Sequence, residues 1–168
     1  ASLPEQMLFD KERLAIKAGK PVEIVFENTD LMPHNLAIVQ PGALEEIGKL
    51  AEATAQQPGA LERGYIPASK KVLHATKLLQ PRDIQKLSFT APLKPGIYPY
   101  VCTYPGHWRR MFGALFVVGD LDAYEADQTG YLAANQLEPV DSLLKLARPR
   151  KEWTLDELAP LVEELKEG

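Results

Sequence analysis

The sequence predicts a mainly β fold, a sandwich or barrel of short strands, carrying a helical insertion and a helical C-terminal tail. Apolar residues alternate with polar ones at period two through the first 119 residues, which is the signature of half-buried strands. Turn formers interrupt that alternation at short intervals. From residue 120 onward the pattern changes to helix caps and helical spacing.

The strands follow in order. Leu14 and Ile16 flank Ala15, and Ala18-Gly19-Lys20-Pro21 then turns the chain. Val22, Ile24 and Phe26 share one face, with Glu23 and Glu27 on the other, until Glu27-Asn28-Thr29-Asp30 ends the strand. His34, Leu36 and Ile38 have one parity. Leu87, Phe89 and Ala91 form the next inward set, closed by Pro92-Leu93-Lys94-Pro95-Gly96. Tyr98, Tyr100 and Cys102 form another, and Ala114 to Val118 is an unbroken apolar run that suits a buried strand.

An insertion occupies about residues 41–80, between two of these strands. Leu44, Ile47 and Leu50 stand at helical spacing there, predicting a helix at about 41–55 that Gln57-Pro58-Gly59 breaks. In the tail, Asp120 is placed to cap a helix running through Ala126. Pro139 precedes a second helix, Asp141 to Leu146, which stops before Pro149. Thr154-Leu155-Asp156-Glu157 is a capping box, and Leu155, Leu158, Leu161, Val162 and Leu165 form one apolar stripe. That stripe suits packing within the chain better than a partner site. The expected organisation is a domain over 1–119 and a helical extension over 120–168.

Composition narrows the function. At 168 residues the chain suits one domain with an appendage, large enough to bury a core without a staple. Net charge is -4, divided as +2 over the first 120 residues and -6 over the rest, with no basic stripe of the kind nucleic acid requires. No segment approaches the ~20 apolar residues of a membrane span. The opening Ala1-Ser2-Leu3-Pro4 shows no signal peptide. A single cysteine, Cys102, excludes an internal disulfide, a four-cysteine zinc site and an iron–sulfur cluster held by this chain alone.

Chemistry concentrates in Cys102-Thr103-Tyr104-Pro105-Gly106-His107-Trp108-Arg109-Arg110-Met111, which offers a thiolate, an imidazole and a thioether around a Pro-Gly bend. Met32-Pro33-His34-Asn35 supplies a second imidazole from a remote strand whose parity points it inward. Two imidazoles and a thiolate with a weak thioether form the blue-copper donor set. Structural zinc sites use more Cys or His and no methionine, and calcium and magnesium use oxygens. Soft sulfur favours Cu(I) and imidazole suits Cu(II), so the mixed set is a compromise between the two states.

These residues resemble the cupredoxins, the plastocyanin/azurin family, and most nearly its azurin- and auracyanin-like type 1 blue copper domains. The resemblance rests on Asn28-Thr29-Asp30, Pro33-His34-Asn35, Gly96-Ile97-Tyr98-Pro99-Tyr100-Val101-Cys102, and Pro105-Gly106-His107 with Met111, and covers about residues 5–119. It implies an antiparallel Greek-key β-sandwich holding one mononuclear type 1 copper. His34, Cys102 and His107 would be the strong ligands and Met111 the axial one. Asn35 would tie the ligand segments together, and the Pro33 carbonyl would lie near the metal. Tyr98 falls where the family places a tyrosine corner. His107 would be the solvent-edge ligand and electron port, surrounded by Met32, Pro33, Pro105 and Trp108. The implied function is one-electron transfer, not enzymatic turnover, in a periplasmic or otherwise extracytoplasmic setting. Implied partners are redox proteins such as a c-type cytochrome or a fused haem or dehydrogenase module. Arg109 and Arg110 beside the port would favour an acidic docking face. The resemblance does not account for the tail after Gly119.

Plainer readings stand beside these. Cys102 alone would be a buried thiol, and a Cys/His nucleophile lacks an orienting acid and oxyanion donors. Met111 would otherwise be core packing. His74, in Val72-Leu73-His74-Ala75, reads as structural, and Glu45-Glu46 and Glu163-Glu164 as solvated helix faces. The alternative function is a copper carrier or delivery protein, although only three methionines occur. A nitrite-reductase-like enzyme would need a second metal centre, for which only His74 is spare. An interaction domain that has lost its metal is the third rival.

Overall fold

The computed structural model describes residues 1–147, and the predicted capping box and leucine stripe at 154–165 lie outside them. In chain order the strands are β1 (Ser2–Leu3), β2 (Leu8–Phe9), β3 (Arg13–Lys17), β4 (Pro21–Glu27) and β5 (Ala37–Val39). After α1 (Leu44–Thr54) come β6 (Val72–Ala75), β7 (Ile84–Thr90), β8 (Gly96–Val101) and β9 (Phe112–Val118). The tail holds α2 (Leu121–Ala126), α3 (Gln128–Ala134) and α4 (Ser142–Leu146).

The alternating segments became the outer sheet. β4 and β7 pair antiparallel along their whole lengths, from Pro21 opposite Thr90 to Glu27 opposite Ile84. Glu23, Glu27, Lys86 and Ser88 face out, and Ile24, Phe26, Leu87 and Phe89 face in. The main sheet has five strands in the order β3-β9-β8-β5-β6. Its inner face contributes Leu36, Ile38, Tyr98, Tyr100, Leu115 and Val117 to the core shared with β4 and β7, which makes the fold a sandwich and not a closed barrel. Each large side chain buried there contributes about 1.5–3 kcal/mol.

The main sheet is covered on both faces, which is why β9 reads as an unbroken apolar run. On the outer face, Val39 and Val101 pack with Leu44 and Ile47 of α1. Ile97, Phe116 and Val118 pack with Tyr124, and Leu121, Tyr131, Leu132 and Leu137 lie against them. Residues 120–147 are therefore docked on the sandwich. The Asp141 carboxylate accepts the amides of Gly42 (2.8 Å) and Leu44 (2.9 Å), so the tail supplies the cap that Ala43 lacks at the start of α1. Asp120 caps α2 as expected, accepting the Ala123 amide at 3.0 Å.

Strand direction departs from expectation in one pair. β3 runs parallel to β9, Arg13 beside Ala114 through Lys17 beside Val118, whereas the other pairs described are antiparallel. Nearly one hundred residues separate the two strands, so no hairpin dictates their direction. Four elements were not foreseen: β1, β2, β6 and α3. β6 continues the main sheet beyond β5, out of what reads as an insertion, and places His74 against the Phe89 ring at 4.5 Å. His74 is thus a packing residue of the sandwich.

Candidate metal centre

Two remote backbone segments are fastened together at one end of the sandwich. The His34 amide donates to the Leu79 carbonyl (3.1 Å) and the Leu79 amide returns to the His34 carbonyl (2.8 Å), fixing the first segment beside β6. Cys102 follows β8 directly. Its amide donates to the Met111 carbonyl at 2.9 Å, and the Met111 amide donates to the His107 carbonyl at 2.8 Å. The Cys102–Met111 loop is therefore a closed turn continuing the β8–β9 hairpin. Gly106 makes its bend at φ +85°, a left-handed conformation that suits glycine.

Three donor atoms converge there. Cys102 Sγ lies 3.7 Å from His34 Nδ1 and 3.7 Å from His107 Nδ1, and the two Nδ1 atoms are 3.2 Å apart. The point equidistant from the corners of that triangle is about 2.1 Å from each, close to the 2.0–2.3 Å of first-row metal bonds to imidazole and thiolate. All three residues are buried. The donor set and its spacing fit one metal ion, and among the described residues this is the only such grouping of His, Cys, Asp and Glu.

The predicted site residues fall as follows. His34, Cys102 and His107 form the triangle. Met111 is fully buried in the same core cluster as Cys102. Asn35 binds across three segments: its Nδ2 donates to the Gly64 carbonyl and Thr103 Oγ1, and its Oδ1 accepts the Thr103 amide, each at 2.8 Å. Pro33 is partly buried beside His34 in the chain. Tyr98 forms the expected corner, its hydroxyl donating to the Lys94 carbonyl at 3.0 Å.

Two expectations are corrected. Trp108 is not at the rim of His107. Its indole is buried under α1, against a glycine where a Cβ would come within 2.2 Å of the ring. An indole is large and apolar, and Gly48 leaves it a slot. His107 is only 2% exposed, so it is nearly covered, with Tyr104 at 4.8 Å and Tyr65 packed edge-on to Tyr104 at 5.4 Å. Tyr65 comes from the insertion, whose effect on the site was not visible in sequence. Arg109 stacks on Trp108 at 4.3 Å and pairs with Glu52, while Arg110 Nε donates to the Gln6 carbonyl at 2.8 Å.

Burial dominates the electrostatics of Cys102 and His107. Burial pushes the Cys102 thiol up to about 11, although the Asn35 and Tyr104 amides donate to its sulfur and partly oppose the rise. Burial, with a smaller push from His34, lowers His107 to about 4. Asp30 reads in sequence as a turn former and as part of the matching Asn28-Thr29-Asp30 stretch, with no role toward the metal assigned to it. Its Oδ2 lies 2.8 Å from His34 Nε2, both groups buried. Burial would raise the Asp30 carboxyl, but the Glu5 amide, the His34 ring and the Leu31 amide outweigh that and hold it below its ordinary value.

Comparison with known proteins places these features among copper proteins. Residues 2–118 match the family described as copper binding proteins, plastocyanin/azurin family. Auracyanin-A of Chloroflexus aurantiacus is 34% identical over 115 residues, covering 67% of this chain and 68% of that protein. Its solved structure, titled a "blue" copper protein, gives a TM-score of 0.59 at 30% identity over 70% of this chain and 98% of its own. Reduced auracyanin from Roseiflexus castenholzii gives 0.62 at 31% identity, covering 70% and 92%. An azurin from Methylomonas sp. strain J gives 0.59 at 19% identity, covering 68% and 92%, and shares the fold.

Proposed function

The chain belongs to the plastocyanin/azurin family of copper-binding proteins, and from that premise we propose how its residues perform one-electron transfer. It is a type 1 copper electron-transfer protein that takes one mononuclear copper. His34 and His107 would hold the metal through Nδ1 and Cys102 through Sγ, and Met111, buried in the same core cluster as Cys102, would offer its thioether as the weaker fourth donor. When bound, copper supplies a couple between Cu(II) and Cu(I). The observation that carries this reading is the triangle of two Nδ1 atoms and Sγ, 3.2–3.7 Å on a side.

The protein's part is to keep that triangle unchanged between the two oxidation states. Asn35 ties the first ligand segment to Thr103, next to Cys102, and to the insertion at Gly64. The Asn35 and Tyr104 amides stabilise the thiolate. A pocket preformed by buried hydrogen bonds needs little rearrangement when the metal's charge changes. Met111 and the aromatic cover of His107 exclude water from the donors.

The working partners are redox proteins, such as a c-type cytochrome or a fused haem or dehydrogenase module, in an extracytoplasmic setting. Exposed Leu31 and Met32, in the loop entering His34, offer apolar side chains for docking. No helix among the described residues is long and apolar enough to cross a membrane. Residues 1–119 form the copper domain and 120–168 its extension.

A redox titration tests the reading. The copper-loaded protein should accept one electron per chain, lose its colour, regain it on reoxidation, and yield copper slowly to a chelator in both states. Rapid loss of copper on reduction, or uptake of more than one electron, would overturn electron transfer in favour of metal delivery or a second centre.

A further inference from the structure

We propose that Asp30 is a positioning residue for the metal centre: its buried carboxylate fixes the His34 imidazole in the Nε2–H tautomer, aims Nδ1 at the metal and biases the couple toward Cu(II). The proposal rests on the copper reading above and adds to it a determinant of the reduction potential.

Geometry carries it. Asp30 is 3% exposed and His34 fully buried, and Oδ2 meets Nε2 at 2.8 Å. The other oxygen, Oδ1, is occupied by the Glu5 amide at 2.9 Å and the Leu31 amide at 2.7 Å. Two backbone donors on Oδ1 leave Oδ2 as the oxygen that meets His34, and because a carboxyl is a stronger acid than an imidazolium the proton between the two side chains belongs on Nε2. Nδ1 then carries the free lone pair, and Nδ1 is the atom in the donor triangle.

The carboxylate is itself held in place. Ser2 Oγ donates to Asn28 Oδ1 at 2.9 Å and accepts the Thr29 amide at 2.9 Å, docking the β1–β2 hairpin on the turn that ends in Asp30. The Asp30 amide donates to Asn28 Oδ1 at 3.0 Å, and Asn28 Nδ2 reaches the Leu79 carbonyl that also receives the His34 amide. The hairpin thus covers and orients the group behind His34. An outer-layer carboxylate raises the basicity of a metal-bound imidazole and commonly changes metal affinity 10–100-fold. The gain is larger for the more highly charged ion, because a buried negative charge is poorly screened.

Asp30→Asn removes the charge. It also cannot meet the same donors, because an amide has one acceptor oxygen for three N–H groups. The copper-loaded variant should hold Cu(II) relative to Cu(I) about tenfold less well, which is about 59 mV upward in reduction potential. A potential that is unchanged or lower would overturn the proposal. Should the variant fail to fold or to hold copper, ¹⁵N–¹H spectra of the metal-free wild type decide. An exchange-protected proton on His34 Nε2 supports the pairing, and a ring protonated on Nδ1 alone, or one whose Nε2 proton exchanges freely, refutes it. Failure of the wild type to bind copper would count against the metal reading, while the metal-free spectrum would still report on Asp30 and His34.

Discussion

Asn35→Ala probes how firmly the two ligand segments are joined. Truncation removes three buried hydrogen bonds of 2.8 Å each. Thr103 Oγ1 can rotate toward another partner, but the Thr103 amide and the Gly64 carbonyl have fixed directions. Thr103 is 1% exposed and Asn35 0%, so water does not replace the lost partner without opening the site. Each orphaned buried backbone group costs about 1–3 kcal/mol, giving about 2–6 kcal/mol for the two. That is a large share of the 5–15 kcal/mol typical of a folded domain. Urea unfolding of the metal-free protein, followed by tyrosine and tryptophan fluorescence, measures it. The midpoint should fall, at unchanged slope, by that free energy divided by the slope. A loss below about 1 kcal/mol would mean that Asn35 is not the clasp between His34 and Cys102.

Further predictions concern the metal, a proton and a helix. Met111→Leu should keep the blue colour and raise the reduction potential, since a thioether is replaced by a group that donates nothing. A lowered potential in voltammetry would contradict the axial role. At pH 7 the Cys102 thiol, pushed to about 11, is protonated, and His107, lowered to about 4, is neutral. Copper uptake should therefore release one proton from Cys102 and none from His107, and the proton count in a weakly buffered titration should drop by one in Cys102→Ser. Equal counts in the two proteins would refute the assignment. Gly48→Ala would gain about 1 kcal/mol in an exposed helix. In α1 the new Cβ would lie 2.2 Å from the buried Trp108 ring, so a net loss of about 1–2 kcal/mol is expected and a gain in stability would refute the contact.

What was legible in the sequence had a local signature. β4 and β7 show clean alternation because one face of their sheet meets solvent, and β9 shows an apolar run because both its faces are covered. The four side chains proposed to hold the metal stood out because thiolate, imidazole and thioether are rare and chemically distinct. What was missed depends on distant partners. β1 and β2 are two residues each and exist because Ser2 is held by the Asn28–Thr29 turn. β6, inside the insertion, pairs with β5 across α1 and the loop that follows it, and β3 finds β9 from the other end of the domain. Asp30 looked like a turn residue, since the direction of the His34 ring cannot be read from spacing. Trp108 beside His107 in sequence turned away because the free volume lies over Gly48.

The central claim is that Cys102, His34 and His107 together hold one copper. Adding Cu(II) to the wild type and to Cys102→Ser, while recording absorption and bound copper per chain, tests it most directly. One equivalent of copper with an intense blue thiolate-to-copper band in the wild type, absent from the serine variant, is the predicted result. A colourless wild type, or a band that survives the loss of the sulfur, would contradict it.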